Sequence, residues 1–177
     1  MNQAMEASDN MLEDSTYVSP IARPKLAGKS LIRSLKLVKR ALAVEKLAKQ
    51  QKLETNSSED LALTRLVKRG VLDVTKSLRK GLTGIVLLAS DVHPVDVVSH
   101  VPVLCEELSI SYAYVASKRV LSDVCHSKRP TCAVLVVKPL KDFSNRLKKL
   151  PEYDNKLDYT ELYHKVDSNI RKHHPYL

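Results

Sequence analysis

Cys105, Cys125 and Cys132, with His126 beside the second of them, are the residues best suited to a soft metal ion. Zinc needs donors that converge, commonly supplied as close Cys or His pairs. Cys125 and His126 are adjacent, which turns them away from one shared ion, and no CxxC or HxxxH pair occurs. Cys105 and Cys132 fall on apolar stretches, where a free cysteine acts as a small core filler. Ser99 and His100 are also neighbours, but geometry and not adjacency makes a nucleophile and its base. The four glycines, Gly28, Gly70, Gly81 and Gly84, form no GxxxxGK phosphate loop. The sequence therefore predicts no enzyme, no catalytic residue, no metal and no cofactor.

Two short basic clusters point instead to phosphate binding. Lys68-Arg69-Gly70 stands at the start of a predicted helix, where unpaired backbone N–H groups and the helix dipole attract anions. Lys76 projects from the same helix two turns on. Ser117-Lys118-Arg119 repeats the arrangement at a second helix start, just after a strand. If the two starts converge they form a bipartite phosphate clamp; basic caps also occur on inert surfaces. The wider charge pattern agrees. Residues 23–52 hold ten basic residues and one acid, Glu45, a local excess equal to the net +9 of the whole chain. Such a segment concentrates polyanions, and it reads equally well as a solvated helix face.

The elements that must carry these clusters are legible in outline. Leu31, Leu35, Val38, Leu42 and Ala43 recur at three- and four-residue steps, which predicts an amphipathic helix over about 30–50 with Ser30 as its N-cap. Residues 68–81 read as a helix ended by Gly81, the left-handed C′ position. GIVLLA (84–89), YAYVA (112–116) and CAVLVV (132–137) are apolar runs with β-branched members and read as buried strands. Between them, 95–101 and 102–109 read as short helical pieces, the second beginning on Pro102. Residues 117–124 read as a helix started by Ser117. The alternation predicts an α/β fold, a three-layer α/β/α sandwich with a small central sheet, plus a basic N-terminal helix and a C-terminal extension.

At 177 residues, one domain with tails is expected. The divisions are a disordered acidic tail (1–19), a basic extension with a helix (20–53), a linker (54–60), the α/β/α domain (61–139) and the extension (140–177). Segments 139–150 and 158–172 have helical character, and the extension as a whole holds four of the seven tyrosines. They read either as a partner-docking arm or as a strap on the domain's own surface. No apolar run approaches the roughly 20 residues of a membrane helix. The polar, acidic first 19 residues resemble neither a signal nor a transit peptide, so a soluble intracellular protein is expected. Three cysteines without close pairing suit a reducing compartment.

Across residues 68–139, RGVLDVTKSLRKG, VLLASDVHP and HVPVLCEELSISYAYVASK resemble the kink-turn-binding ribosomal-protein superfamily. SKRPT (127–131) and the upstream SPIARPKLAGKSLIRSLKLVKRA (19–41) resemble its H/ACA branch. The resemblance implies an α/β/α sandwich that binds structured RNA without catalysing anything. It also implies H/ACA guide RNA as ligand. The implied protein partners are a pseudouridine synthase subunit, a small bridging subunit and a Gly/Arg-rich subunit, and the implied location is the nucleus and nucleolus. Rival readings are a sister subunit of the box C/D or spliceosomal U4 particle or of ribonuclease P, and a protein-interaction module with little RNA contact. Carried over by position, Gly70, Asp73 and Lys76 match the family's RNA-binding helix start, and Ser117 and Lys118 match the loop bordering the kink. With the basic neighbours, the expected RNA-binding set is Lys68, Arg69, Gly70, Asp73, Lys76, Ser117, Lys118 and Arg119. Leu72 departs from the pattern, standing where kink-turn readers place Asn and the branch usually places Lys. Ser122 and His126 stand where the branch usually has Gly.

Overall fold

Side chains of a strand point alternately to its two faces, so a run such as Ile85-Val86-Leu87-Leu88-Ala89 needs apolar cover on both sides. In a computed structural model describing residues 17–55, 63–148, 150 and 154–177, helices supply that cover. The elements in chain order are α1 (Gly28–Thr55), β1 (Val67–Arg69), α2 (Val71–Arg79), β2 (Gly84–Ala89) and α3 (His100–Glu107). They continue as β3 (Ser111–Val115), α4 (Lys118–Val124), β4 (Ala133–Val137), α5 (Phe143–Leu147) and α6 (Thr160–His173). The sheet order is β1-β4-β2-β3; β4 is antiparallel to both neighbours, and β2 is parallel to β3.

Ile85, Leu87, Ala89, Val134 and Val136 face one side, where α1, α4, α5 and α6 pack. Val86, Leu88, Tyr112, Tyr114 and Leu135 face the other, against Val74 and Leu78 of α2 and Val101 and Cys105 of α3. This is the α/β/α layering expected, with N- and C-terminal helices sharing the core. The described residues of the 140–177 extension lie on the domain itself. Phe143, Tyr159, Tyr163, Val166 and Ile170 are all buried in the first cluster. Asn169 Nδ2 donates to Ser30 Oγ at 2.6 Å, and Arg171 Nη2 donates to the Ser109 carbonyl at 2.8 Å.

Several local expectations change. Residues 68–69 are not helical: β1 is an edge strand, and α2 starts only after Gly70. Helix α3 starts at His100, so Pro102 takes its third position, still within the first turn where a missing N–H costs no helical bond. Ser30 lies inside α1 and holds α6 rather than capping its own helix. The expected tail (1–19) and linker (54–60) lie mostly outside the described residues. Of the tail's described part, the Ser19 N–H donates to the Ser90 carbonyl at 2.7 Å. Further on, Lys25 bridges Tyr114 in parallel, so residues 24–26 cover the outer edge of β3.

Helices α2, α3 and α4 end in the same way. The C′ residue is left-handed, and two N–H groups fold back onto the last-turn carbonyls, as in Gly81→Leu78 with Leu82→Ser77. Gly81 fills that position in α2 as expected, whereas α3 uses Ser109 (φ 53°) and α4 uses His126 (φ 51°). His126 therefore carries strain that Gly would not. His126→Gly is expected to raise stability by about 0.5–1 kcal/mol, because relief of roughly 1–2 kcal/mol of left-handed strain outweighs the entropy that Gly loses on folding. An urea midpoint no higher than wild type's, at unchanged slope, would contradict this.

Candidate nucleic-acid interface

Strand pairing brings four loops to one end of the sheet. Arg69, the last residue of β1, pairs with Val134 near the start of β4; Ala133 pairs with Leu88, and Ala89 with Val115. Gly70, Asp91, Ser117 and the 126–131 turn leading into β4 therefore share that end. Gly70 and Ser117 follow the two outer strands, three strand spacings apart, or about 14 Å. Their helices run back over opposite faces of the sheet. The two starts share one end of the sheet but stand at its opposite edges, and they do not form a closed pincer.

The start of α2 has the expected character. Gly70 sits at φ 91° and ψ 151°, a backbone state that side chains rarely adopt, and no side chain caps the helix. Its own N–H is engaged, donating to the Ala133 carbonyl at 2.8 Å, so the anion-attracting groups are those of the first turn beyond it. Leu72 is 77% exposed. Lys76 is exposed one turn further along the same outward face, and Asp73 is exposed beside them. Helical side chains tilt toward the N-terminus, so Lys76 leans back toward the Gly70 end. Lys68 and Arg69 are consecutive in a strand and point to opposite faces, which places them on either flank of the sheet.

The start of α4 differs from expectation. Ser117 is buried, and its Oγ accepts from the Val120 N–H at 3.3 Å. The Lys118 N–H donates to Asp91 Oδ1 at 2.7 Å. A carboxylate of the chain thus already occupies the anion-attracting position, and Ser117 starts the helix without facing solvent. What α4 offers outward is the side chains of half-buried Lys118 and exposed Arg119.

The turn between α4 and β4 adds cations that the site prediction omitted. Lys128 and Arg129 are exposed, on a backbone pinned by Ser122. The Ser122 hydroxyl bonds the Lys118 and Arg129 carbonyls at 2.7 and 3.2 Å and accepts from the Thr131 N–H at 2.9 Å. The signal was present in SKRPT, where two adjacent cations precede a proline before a buried strand.

No group of three or more His, Cys, Asp or Glu among the described residues is arranged to hold a metal. Cys105 and Cys125 are buried and Cys132 half-buried. Burial pushes the Cys105 thiol up to about 12, with Glu106 adding to the effect. It also raises Cys125 and Cys132, so all three stay neutral. No helix among the described residues is long and apolar enough to cross a membrane.

An α/β/α sandwich with a cationic loop cluster at one sheet end defines a class, and the comparisons agree with it. Residues 55–144 match the Ribosomal protein L7Ae/L30e/S12e/Gadd45 family, and the chain belongs to that family. Within it, the chain is a homologue of subunit 2 of the H/ACA ribonucleoprotein complex. It is 40% identical over 126 residues to the H/ACA ribonucleoprotein complex subunit 2-like protein of Arabidopsis thaliana, covering 70% of this chain and 67% of that protein. It is also 40% identical over 129 residues to the Xenopus laevis protein of the same name, covering 72% of each. Among solved structures it resembles the Giardia lamblia 15.5kD RNA binding protein, with a TM-score of 0.60 over 88% of this chain and 98% of that one. At 21% identity that likeness concerns the fold.

Proposed function

We propose that this chain is a non-catalytic, RNA-binding core subunit of an H/ACA-type ribonucleoprotein. It holds the guide RNA so that a pseudouridine synthase subunit can modify ribosomal RNA, and so supports ribosome production. The observation that carries this reading is homology to subunit 2 over about 70% of both chains. The cationic loop cluster at one sheet end supports it physically. In this reading the uncapped α2 start at Gly70, with Lys76, Lys118 and Arg119, binds phosphates; Lys128 and Arg129 extend the contact. Lys68 and Arg69 flank it, while Asp73 and Ser117 position it. The small bridging subunit and the Gly/Arg-rich subunit complete the particle, which works in the nucleus and nucleolus.

Affinity purification of the chain after RNA crosslinking tests this. H/ACA guides are expected, and recovery of box C/D or U4 RNAs would replace the assignment with the sister subunit. Leu72 favours a second reading, a protein-interaction module, because a large apolar side chain stands exposed in the first turn of α2. A hairpin titration across salt separates the two. RNA binding gives a clear negative slope, and a flat, weak response favours the protein module.

Leu72 also limits sequence reading, since it cannot hydrogen-bond a base edge. Leu72→Asn is expected to increase preference for kink-turn RNA over a plain stem by about 1–3 kcal/mol, the value of a good base-reading pair in the DNA case. Competition between the two RNAs measures it. No gain would mean that the pinned 126–131 turn also restricts the site.

A further inference from the structure

We infer that the groove between the C-terminal half of α1 and the end of α4 is a second phosphate contact, which carries an RNA stem away from the Gly70 end along α1. The inference rests on the RNA-binding reading above and names where the bound RNA continues. The groove is an open cavity of about 390 Å³ lined by Leu42, Glu45, Lys46, Lys49, Arg69 and His126, among others. Its charged side chains are three cations and one acid, joined by the polar Gln50 and His126.

That acid is turned inward. Glu45 is the sole acid of the basic 23–52 segment, and its side chain is only 6% exposed. Its Oε2 accepts from the Val67 N–H at 3.0 Å, which anchors the first residue of β1 to α1. Its Oε1 pairs with Lys49 and stands 3.8 Å from Arg69 Nη2. The two cations keep 52% and 41% of their side chains open to solvent. Glu45 therefore orients them from within and leaves their outer sides available. Lys46 is exposed, and among the described residues no carboxylate pairs with it. The groove holds an excess of two positive charges.

Continuity favours nucleic acid over an acidic protein as the occupant. Arg69 immediately precedes Gly70, and His126 opens the 126–131 turn, so the groove borders the candidate RNA surface without a break. Lys46 and Lys49 are three residues apart on one helix, which puts them on the same side as a short cationic rail. Both lie outside the family-matched residues 55–144, whereas Arg69 and His126 lie inside them, so the groove joins the N-terminal extension to the family domain.

The test uses the full chain and two hairpins with the same loop, one with its stem lengthened by about one turn, titrated from about 50 to 200 mM salt. Wild type is expected to bind the longer hairpin more tightly and with a steeper salt slope. Lys46→Gln with Lys49→Gln is expected to flatten that slope by about 1.4–1.8, the share of two phosphates, and to leave the short hairpin unchanged. Lys46→Gln alone, which touches no ion pair, removes about half of that change and guards against misfolding in the double variant. If wild type binds the short hairpin but the variants match its slope on the long one, the inference fails, the RNA-binding reading stands, and an acidic protein becomes the groove's occupant. If wild type binds neither hairpin, both fail.

Discussion

With Lys76 and Lys118 both changed to Glu, affinity for a guide-type hairpin is expected to fall about 30-fold at 0.1 M salt. The fall should be nearly the same for every hairpin sequence. Each neutralised phosphate contributes about 0.7–0.9 to the slope of log affinity against log salt, so two contacts account for that factor over one decade of salt. Uniformity follows because phosphate contacts position a nucleic acid but carry no base information. Both side chains stand clear of the core: Lys76 is exposed on α2, and Lys118 is half-buried at the start of α4. The variant should therefore melt near the wild-type temperature. A filter-binding series on both proteins reads the effect. Equal affinities would remove the two helix starts from the RNA surface and leave the 126–131 turn and the α1 groove to account for binding.

Gly84→Ala is expected to have the largest effect on stability. Gly84 opens β2 in the middle of the sheet, opposite Val137 of β4. A Cβ there would lie 2.2 Å from the Val136 carbonyl oxygen and 2.8 Å from Leu135 Cδ1. The closer atom is backbone within a paired strand, so it cannot swing aside as a side-chain end could. The central pairing must open locally or β2 must shift its register. Overpacking of this kind costs about 3 kcal/mol, which for a chain of this size lowers Tm by roughly 6–12 °C. Calorimetry of the variant measures it. A shift under about 1 kcal/mol would mean that the sheet accommodates the methyl group by a small local opening. Glycines can mark close backbone approach in a strand, and here the approach belongs to the fold rather than to the ligand.

The three long strands were legible because each is a run of apolar residues with β-branched members that only a doubly covered sheet can bury. Helix α2 and its Gly81 terminus were legible because helical periodicity and a left-handed C′ position are local demands. The basic segment and its single acid could be counted, but counting gave no hint that Glu45 faces inward. Strand β1 was missed because Val67-Lys68-Arg69 has one apolar residue and no alternation. It is a strand because β4 offers an unpaired edge and Glu45, 22 residues upstream, accepts the Val67 N–H.

The candidate site divides in the same way. Gly70, Lys76, Lys118 and Arg119 were found from cations placed at helix starts, a pattern visible within a few residues. That Asp91 already occupies the N–H end of α4, and that Lys128 and Arg129 join the surface, depended on which loops the strand order gathers at one end. The C-terminal segment is the sharpest case. Its tyrosines and helical spacing were evident, yet whether it reached outward or folded back was undetermined until Asn169 met Ser30 across 139 residues of chain. Residue patterns state which face of an element must be covered, since that is a property of neighbours in the chain. Which distant element does the covering is chosen by the global fit of shapes and hydrogen bonds, and no stretch of sequence carries that information alone.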